Sequence, residues 1–395
     1  MATIHVSQDM RAPRFDFGLS ADQEERAIKL HRSSIVVDLL SQNAGGSNLF
    51  RSLSKELLAD FYTQAAKYEG MDALTEAAYW PYEMSRLGKS HLIRDYYFAS
   101  GMTCGTYDIG VHDGRDPTCL KLDEANHVFT QLPWLRCVTT ATQIRQAKRD
   151  GVIALYANWQ PYLPLPRDLK SIDAAYAKGL RSLMLTYNQM DNVGVGCTER
   201  IDAGLSNYGV SVVLHCNKIG MIVDVSHCGP ATTLDACRQS RKPVTANHAA
   251  AKGVYNHARG KGDDELKAIA DTGGVIGVVA VPAFLTRVHQ PTIQHMFDHI
   301  DYIAERVGWQ HVALGTDWPL QGPLDLVRSA MEIEAKKLGF HEEHRLDLTA
   351  RLEGFDDSRD LVNVTRGLVA RGYRDEQIQG ILGENALRVI SDICG

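Results

Sequence analysis

At 395 residues the chain is long enough for one large barrel with excursions or for two domains. A net charge of −6 with mixed signs offers no basic surface for nucleic acid or another polyanion. The first thirty residues are charged throughout, and no run of about eighteen apolar residues follows, so we expect a cytoplasmic protein without a signal core or membrane span. Eight cysteines, none in a CxxC pair, favour neither a disulfide scaffold nor a structural zinc site.

Eight short apolar runs follow in chain order: 35–38, 102–106, 152–156, 182–186, 221–225, 243–246, 274–280 and 312–315. Most are rich in Val, Ile, Leu or Thr, as buried parallel strands are. Helix-like stretches at 173–178, 211–218, 232–240 and 294–307 separate the later ones. This alternation predicts βαβ units, and eight of them predict an α/β fold of the (β/α)8 barrel type. We expect one barrel domain over 1–395. It carries a helical excursion at about 40–100, with Leu57, Tyr62, Tyr68, Trp80, Tyr82, Tyr96 and Tyr97, and a helical tail from about 320. Two roles are open for the excursion: helices packed on the barrel, or a lid with aromatic contacts over the site.

Three runs stop at chemistry-bearing residues. Met221-Ile222-Val223-Asp224-Val225-Ser226 leads to His227, Pro243-Val244-Thr245-Ala246-Asn247 to His248, and His311-Val312-Ala313-Leu314-Gly315-Thr316 to Asp317. Strand C-termini in a barrel open onto the face that carries the chemistry. Two histidines on neighbouring strands suit Zn²⁺, although either could be a satisfied core residue. Asp317 is a candidate metal ligand or general base, or a helix cap. Arg259, shortly after the sixth run, has the geometry for a carboxylate, or is a solvated surface residue.

Taken together these motifs resemble the membrane dipeptidase (renal dipeptidase, peptidase M19) family of metallo-dependent barrels. The resemblance runs from Leu30-His31-Arg32-Ser33-Ser34-Ile35-Val36-Val37-Asp38 to Gly383-Glu384-Asn385-Ala386-Leu387-Arg388-Val389. It is densest across Leu185-Thr186-Tyr187-Asn188, Gly204-Leu205-Ser206, the His227 segment and Asn247-His248. It implies a hydrolase that cleaves dipeptides with two zinc ions. One ion takes a His-x-Asp pair after the first strand and the eighth-strand Asp, the other takes the fifth- and sixth-strand His, and a third-strand Glu bridges them. Carried over, the histidines are His227 and His248, the Asp is Asp317, and the Arg that holds the substrate carboxylate is Arg259.

Four positions depart from that pattern. Leu40 and Gln42 stand where the His-x-Asp pair belongs, Asn158 or Gln160 where the bridging Glu belongs, and Tyr187 where a fourth-strand His belongs. Two divalent ions held close together need carboxylates to offset their repulsion, which neutral amides cannot do. We therefore expect a reduced site with one Zn²⁺ per chain on His227 and His248, or none. Asp317 would be the base, Tyr187 and Gln160 would stabilise an oxyanion, and Arg259 and Asn158 would bind a dipeptide or small carboxylate-bearing amide. We also expect a homodimer. A lyase, isomerase or tailoring enzyme on the same scaffold, with or without metal, is the alternative, and a catalytically silent homologue is a third.

Overall fold

The structure, a computed structural model, describes residues 15–41, 44–109, 117–161 and 164–395. Its strands are β1 (Cys104–Asp108), β2 (Leu135–Cys137), β3 (Ile153–Trp159), β4 (Leu180–Met184), β5 (Ile222–Asp224), β6 (Val244–Ala251), β7 (Gly260–Lys261), β8 (Val275–Val278) and β9 (Val312–Leu314). Seven run side by side in the order β1-β3-β4-β5-β6-β8-β9, and every pairing is parallel. Residues 37–39 close the ring. Val37 bridges Cys104 and Asp38 bridges Leu314, both in parallel. Asp38 N donates to Cys104 O and Leu39 N to Leu314 O, each at 2.9 Å. With that segment as the eighth stave, the fold is a (β/α)8 barrel.

The eight expected runs correspond to these eight staves, with shifts. The fourth strand begins two residues earlier than the run at 182–186 suggests, because Arg181 interrupts the apolar pattern. Its guanidinium turns back on the chain, Nη1 donating to Tyr176 O and Leu180 O, and lies 4.0 Å from the centre of the Tyr176 ring. The sixth strand extends to Ala251, so His248 lies inside it. Two short strands lie outside the eight runs: β2 adds to β3 and β7 pairs with the end of β6. All seven residues of β3 and all eight of β6 are buried, the signature of strands covered on both faces.

Short helix caps keep the βα units compact. Ser206 caps the helix Asn207–Ile219, and Gly220, at φ +82°, ends it so that β5 starts at once. At the same end of the barrel, where the strands begin, Asn385 Nδ2 donates to Trp309 O and Val312 O, both at 2.8 Å. Val37 N donates to Leu382 O at 2.8 Å, and a Cβ on Gly383 would meet Ile35 O at 2.3 Å. The terminal Gly-Glu-Asn-Ala-Leu segment thus staples the first stave to the last.

In the excursion, Phe50, Phe61 and Trp80 pack ring against ring, and Tyr82 and Tyr97 share a 2.6 Å hydrogen bond. Trp80, Tyr82, Tyr96 and Tyr97 are buried, while Tyr62 and Tyr68 are exposed. These aromatic residues pack the helices on the barrel. The face turned to the site belongs to other residues of the helix Gly70–Arg86, among them Met71, Leu74 and Tyr79. Among the described residues no helix is long and apolar enough to cross a membrane.

Candidate active site

The C-terminal ends of the staves converge on a cleft of about 880 Å³, open mouth included. Asp108 ends β1, Gln160 follows β3, Tyr187 follows β4, His227 follows β5 and Asp317 follows β9. All five line the cleft. Four of them, Gln160, Tyr187, His227 and Asp317, are residues singled out above. His248 touches His227 from behind, whereas Asn158 and Arg259 are buried outside the lining. Leu40 is 1% exposed and packs in the core; Gln42 lies outside the described residues.

The two imidazoles are joined to each other. His227 Nε2 and His248 Nε2 are 2.9 Å apart. Asn188 Nδ2 donates to Leu338 O at 2.8 Å, which orients its amide and turns Oδ1 towards His227 Nδ1, 2.7 Å away. An amide oxygen only accepts, so His227 carries its proton on Nδ1 and accepts at Nε2 from His248 Nε2–H. His248 Nδ1 is then a bare acceptor, with no hydrogen-bond partner among the described residues. Burial, with the Arg259 guanidinium nearby, holds both imidazoles well below their ordinary pKa. The Tyr187 ring stacks on His227 at 4.1 Å and 20°. Burial pushes the Tyr187 phenol above its ordinary range, so at neutral pH it keeps its proton.

Hydrogen bonds to buried carboxylates set the loops behind the site. Asp224 Oδ1 accepts from Ser226 N, Ser226 Oγ and Asn247 N at 2.9, 2.5 and 3.0 Å. Ser226 Oγ in turn accepts from His248 N at 3.0 Å. Asp38 accepts from Thr316 N at 2.9 Å and Thr316 Oγ1 at 2.5 Å, just before Asp317. Asp317 has φ +49°, a left-handed conformation that Asp tolerates better than most residues, and its N donates to Leu40 O at 2.8 Å. In the cleft, Asp108 accepts from Gln160 N at 3.2 Å and Gln160 Nε2 at 2.9 Å.

Arg259 is 1% exposed. It donates to Ser226 O at 2.5 Å and His248 O at 3.1 Å, and its guanidinium lies 5.4 Å from the Phe284 ring centre. Asn158 faces Asn247, whose Nδ2 is 3.5 Å from Asn158 Oδ1 and 2.9 Å from Ser182 Oγ. Sequence reasoning missed Asp108 and the orienting role of Asn188. The signal for Asp108 was present: it stands two residues beyond the run 102–106, as Asp317 stands two beyond 312–315.

The family model for membrane dipeptidases (peptidase family M19) matches residues 24–328. The chain belongs to the membrane dipeptidase family. Among relatives in this family, the dipeptidase verJ of Clonostachys rogersoniana is 27% identical over 256 residues, which are 64% of this chain and 59% of that protein. The match thus spans less than two thirds of that relative's length. An amidohydrolase structure from Pseudomonas aeruginosa is 25% identical with a TM-score of 0.73, covering 93% of this chain and 99% of the other. The probable dipeptidase PvdM from the same organism superposes with a TM-score of 0.66 at 19% identity, covering 95% and 99%, a likeness of fold.

The family's zinc pair does not fit the donors of this member. Among the described residues no three His, Cys, Asp or Glu side chains are grouped to hold an ion, whereas catalytic zinc takes three protein ligands. Leu40 has no donor side chain, and Asn158 and Gln160 bring neutral amides where the family pattern has charged or imidazole ligands, which leaves His227 and His248 as a two-ligand remnant.

Proposed function

We propose that this family member hydrolyses the amide bond of a dipeptide or another small amide by acid–base chemistry of its own side chains. The observation that carries the reading is the convergence of Asp108, Gln160, Tyr187, His227 and Asp317 on one largely apolar cleft. Asp317 takes a proton from the attacking water. The oxygen of that water bonds to the amide carbon, and the carbonyl electrons move onto oxygen. Tyr187 O–H and the Gln160 amide N–H donate to the oxyanion, where fixed dipoles in a sheltered cleft are worth most. When the C–N bond breaks, the proton held by Asp317 goes to the leaving nitrogen. Asp108 orients Gln160, and Asn188 and His248 hold the His227 ring against which Tyr187 stacks. No step runs through a metal, because the donors do not fit one.

Turnover of a dipeptide and N-acyl amino acid panel, followed by mass spectrometry, tests this. A product pair whose summed mass exceeds the substrate by one water is expected. A substrate consumed without that gain would transfer the site to the lyase or isomerase reading, and no conversion across the panel would remove the hydrolase reading.

A further inference from the structure

The cleft has two chemically different halves, drawn from different parts of the chain. The staves supply the polar floor. The facing wall is apolar, with Met71 and Leu74 from the helix Gly70–Arg86, Phe284 from the short helix Pro282–Leu285 after β8, and Phe340, Leu346 and Leu348 from the C-terminal quarter. This wall is built in place. Asn188 Nδ2 holds Leu338 O at 2.8 Å, and His257 Nε2–H donates to His344 O at 2.9 Å. The Phe284 and Phe340 rings lie nearly parallel, 18° apart with centres 6.3 Å apart. Along 345–348 the side chains alternate. Leu346 and Leu348 line the cleft, while Arg345 and Asp347 line the neighbouring surface groove beside Arg287 and Tyr255. The chain therefore places its charges outside and its leucines inside.

We infer that the substrate carries a bulky apolar group, an aryl or branched-alkyl side chain, next to its reacting amide, and that Phe340, Leu346 and Leu348 set this preference. The inference rests on the hydrolase reading for where the amide sits. A large apolar side chain against this wall leaves water, the main favourable term in such binding. A charged one would lose hydration and gain no partner from these residues. Selectivity of roughly 10- to 200-fold is the range that apolar pocket contacts supply.

Isothermal titration with ketomethylene dipeptide isosteres bearing Phe, Leu, Gly or Asp side chains tests it, alongside turnover of the matching dipeptides. The Phe and Leu isosteres should bind at least about tenfold more tightly than Gly or Asp. Phe340→Ala and Leu346→Asn should each shrink that ratio while the circular dichroism spectrum is kept. Should Phe340→Ala fail to fold, Leu346→Asn and the wild-type series decide. Equal affinities across the series, or tightest binding of Asp, would overturn the inference. Dipeptides cleaved without side-chain preference would sink it and leave the hydrolase reading standing. Preferential binding of the Phe isostere with no cleavage of any dipeptide would do the reverse.

Discussion

His227 and His248 stand on adjacent staves with their Nε2 atoms 2.9 Å apart, one donating a proton to the other. In the family pattern these two positions serve a zinc ion. Here the proton of one and the lone pair of the other are already matched, and Asn188 takes the remaining N–H of His227. The pair is neutral, buried and tied to the tail of the chain through Leu338.

The first expectation concerns metal. Protein desalted after purification should carry well under one equivalent of zinc, and a chelator should leave its activity unchanged. Elemental analysis showing one tight equivalent that disappears in both His227→Ala and His248→Ala would restore a mononuclear zinc site.

Asp317→Asn removes basicity but keeps size, and Asn also tolerates the left-handed φ of +49°. The turnover number should fall by about 10²- to 10⁴-fold, the usual worth of a general base, with the melting temperature little changed. Full activity in this variant would place the base elsewhere.

Asn188→Ala leaves His227 Nδ1–H and Leu338 O without their partners. Leaving buried polar groups unpaired costs about 1–3 kcal/mol, readable in urea denaturation. Nitrogen NMR of the labelled imidazole should also show His227 losing its fixed Nδ1–H tautomer. An unchanged tautomer would mean that Asn188 does not orient the ring.

Arg259 donates charge-assisted hydrogen bonds to two backbone carbonyls from a fully buried position. We expect Arg259→Ala to lower stability by about 2–5 kcal/mol, with part of the stability recovered in Arg259→Lys. A variant that keeps full stability but shows a raised KM on acidic substrates would instead assign Arg259 to the substrate carboxylate.

Acid should weaken the fold through its buried histidines. His31 sits between Thr365 Oγ1 and Ser100 O, each 2.8 Å away, and burial lowers its pKa to about 4. Above pH 6.5 it is neutral in both the folded and the unfolded chain. As the pH falls from 6.5 through 4, the unfolded chain binds a proton that the folded one refuses, so stability is lost, by up to about 3 kcal/mol for this group. His257, also lowered to about 4 by burial, adds in the same direction. Asp360 opposes them. Burial and the neighbouring Asp357 raise its pKa to about 7, so its contribution grows as the pH falls from 7 towards its ordinary value. His31→Gln should make the slope of stability against pH shallower between 6.5 and 4. An unaltered slope would show that His31 does not titrate on unfolding.

The sequence by itself determined the barrel. Parallel strands buried on both faces must be short, continuous apolar runs, and eight of them separated by capped helices leave few other arrangements. It also marked His227 and Asp317, because a polar residue just past the end of such a run can face the open mouth of the barrel; His248, marked by the same rule, lies within its strand behind His227. What His227 and His248 do with each other was decided by the tertiary structure alone. A hydrogen bond between residues on two strands depends on register and ring rotation, which leave no trace in spacing. The placing of Arg259 under the imidazoles has the same origin: a guanidinium carries the same letters whether it meets a ligand or two backbone carbonyls. The apolar wall is further still from the sequence, since Met71 and Leu348 meet across one cleft only after the 276 residues between them have closed a ring.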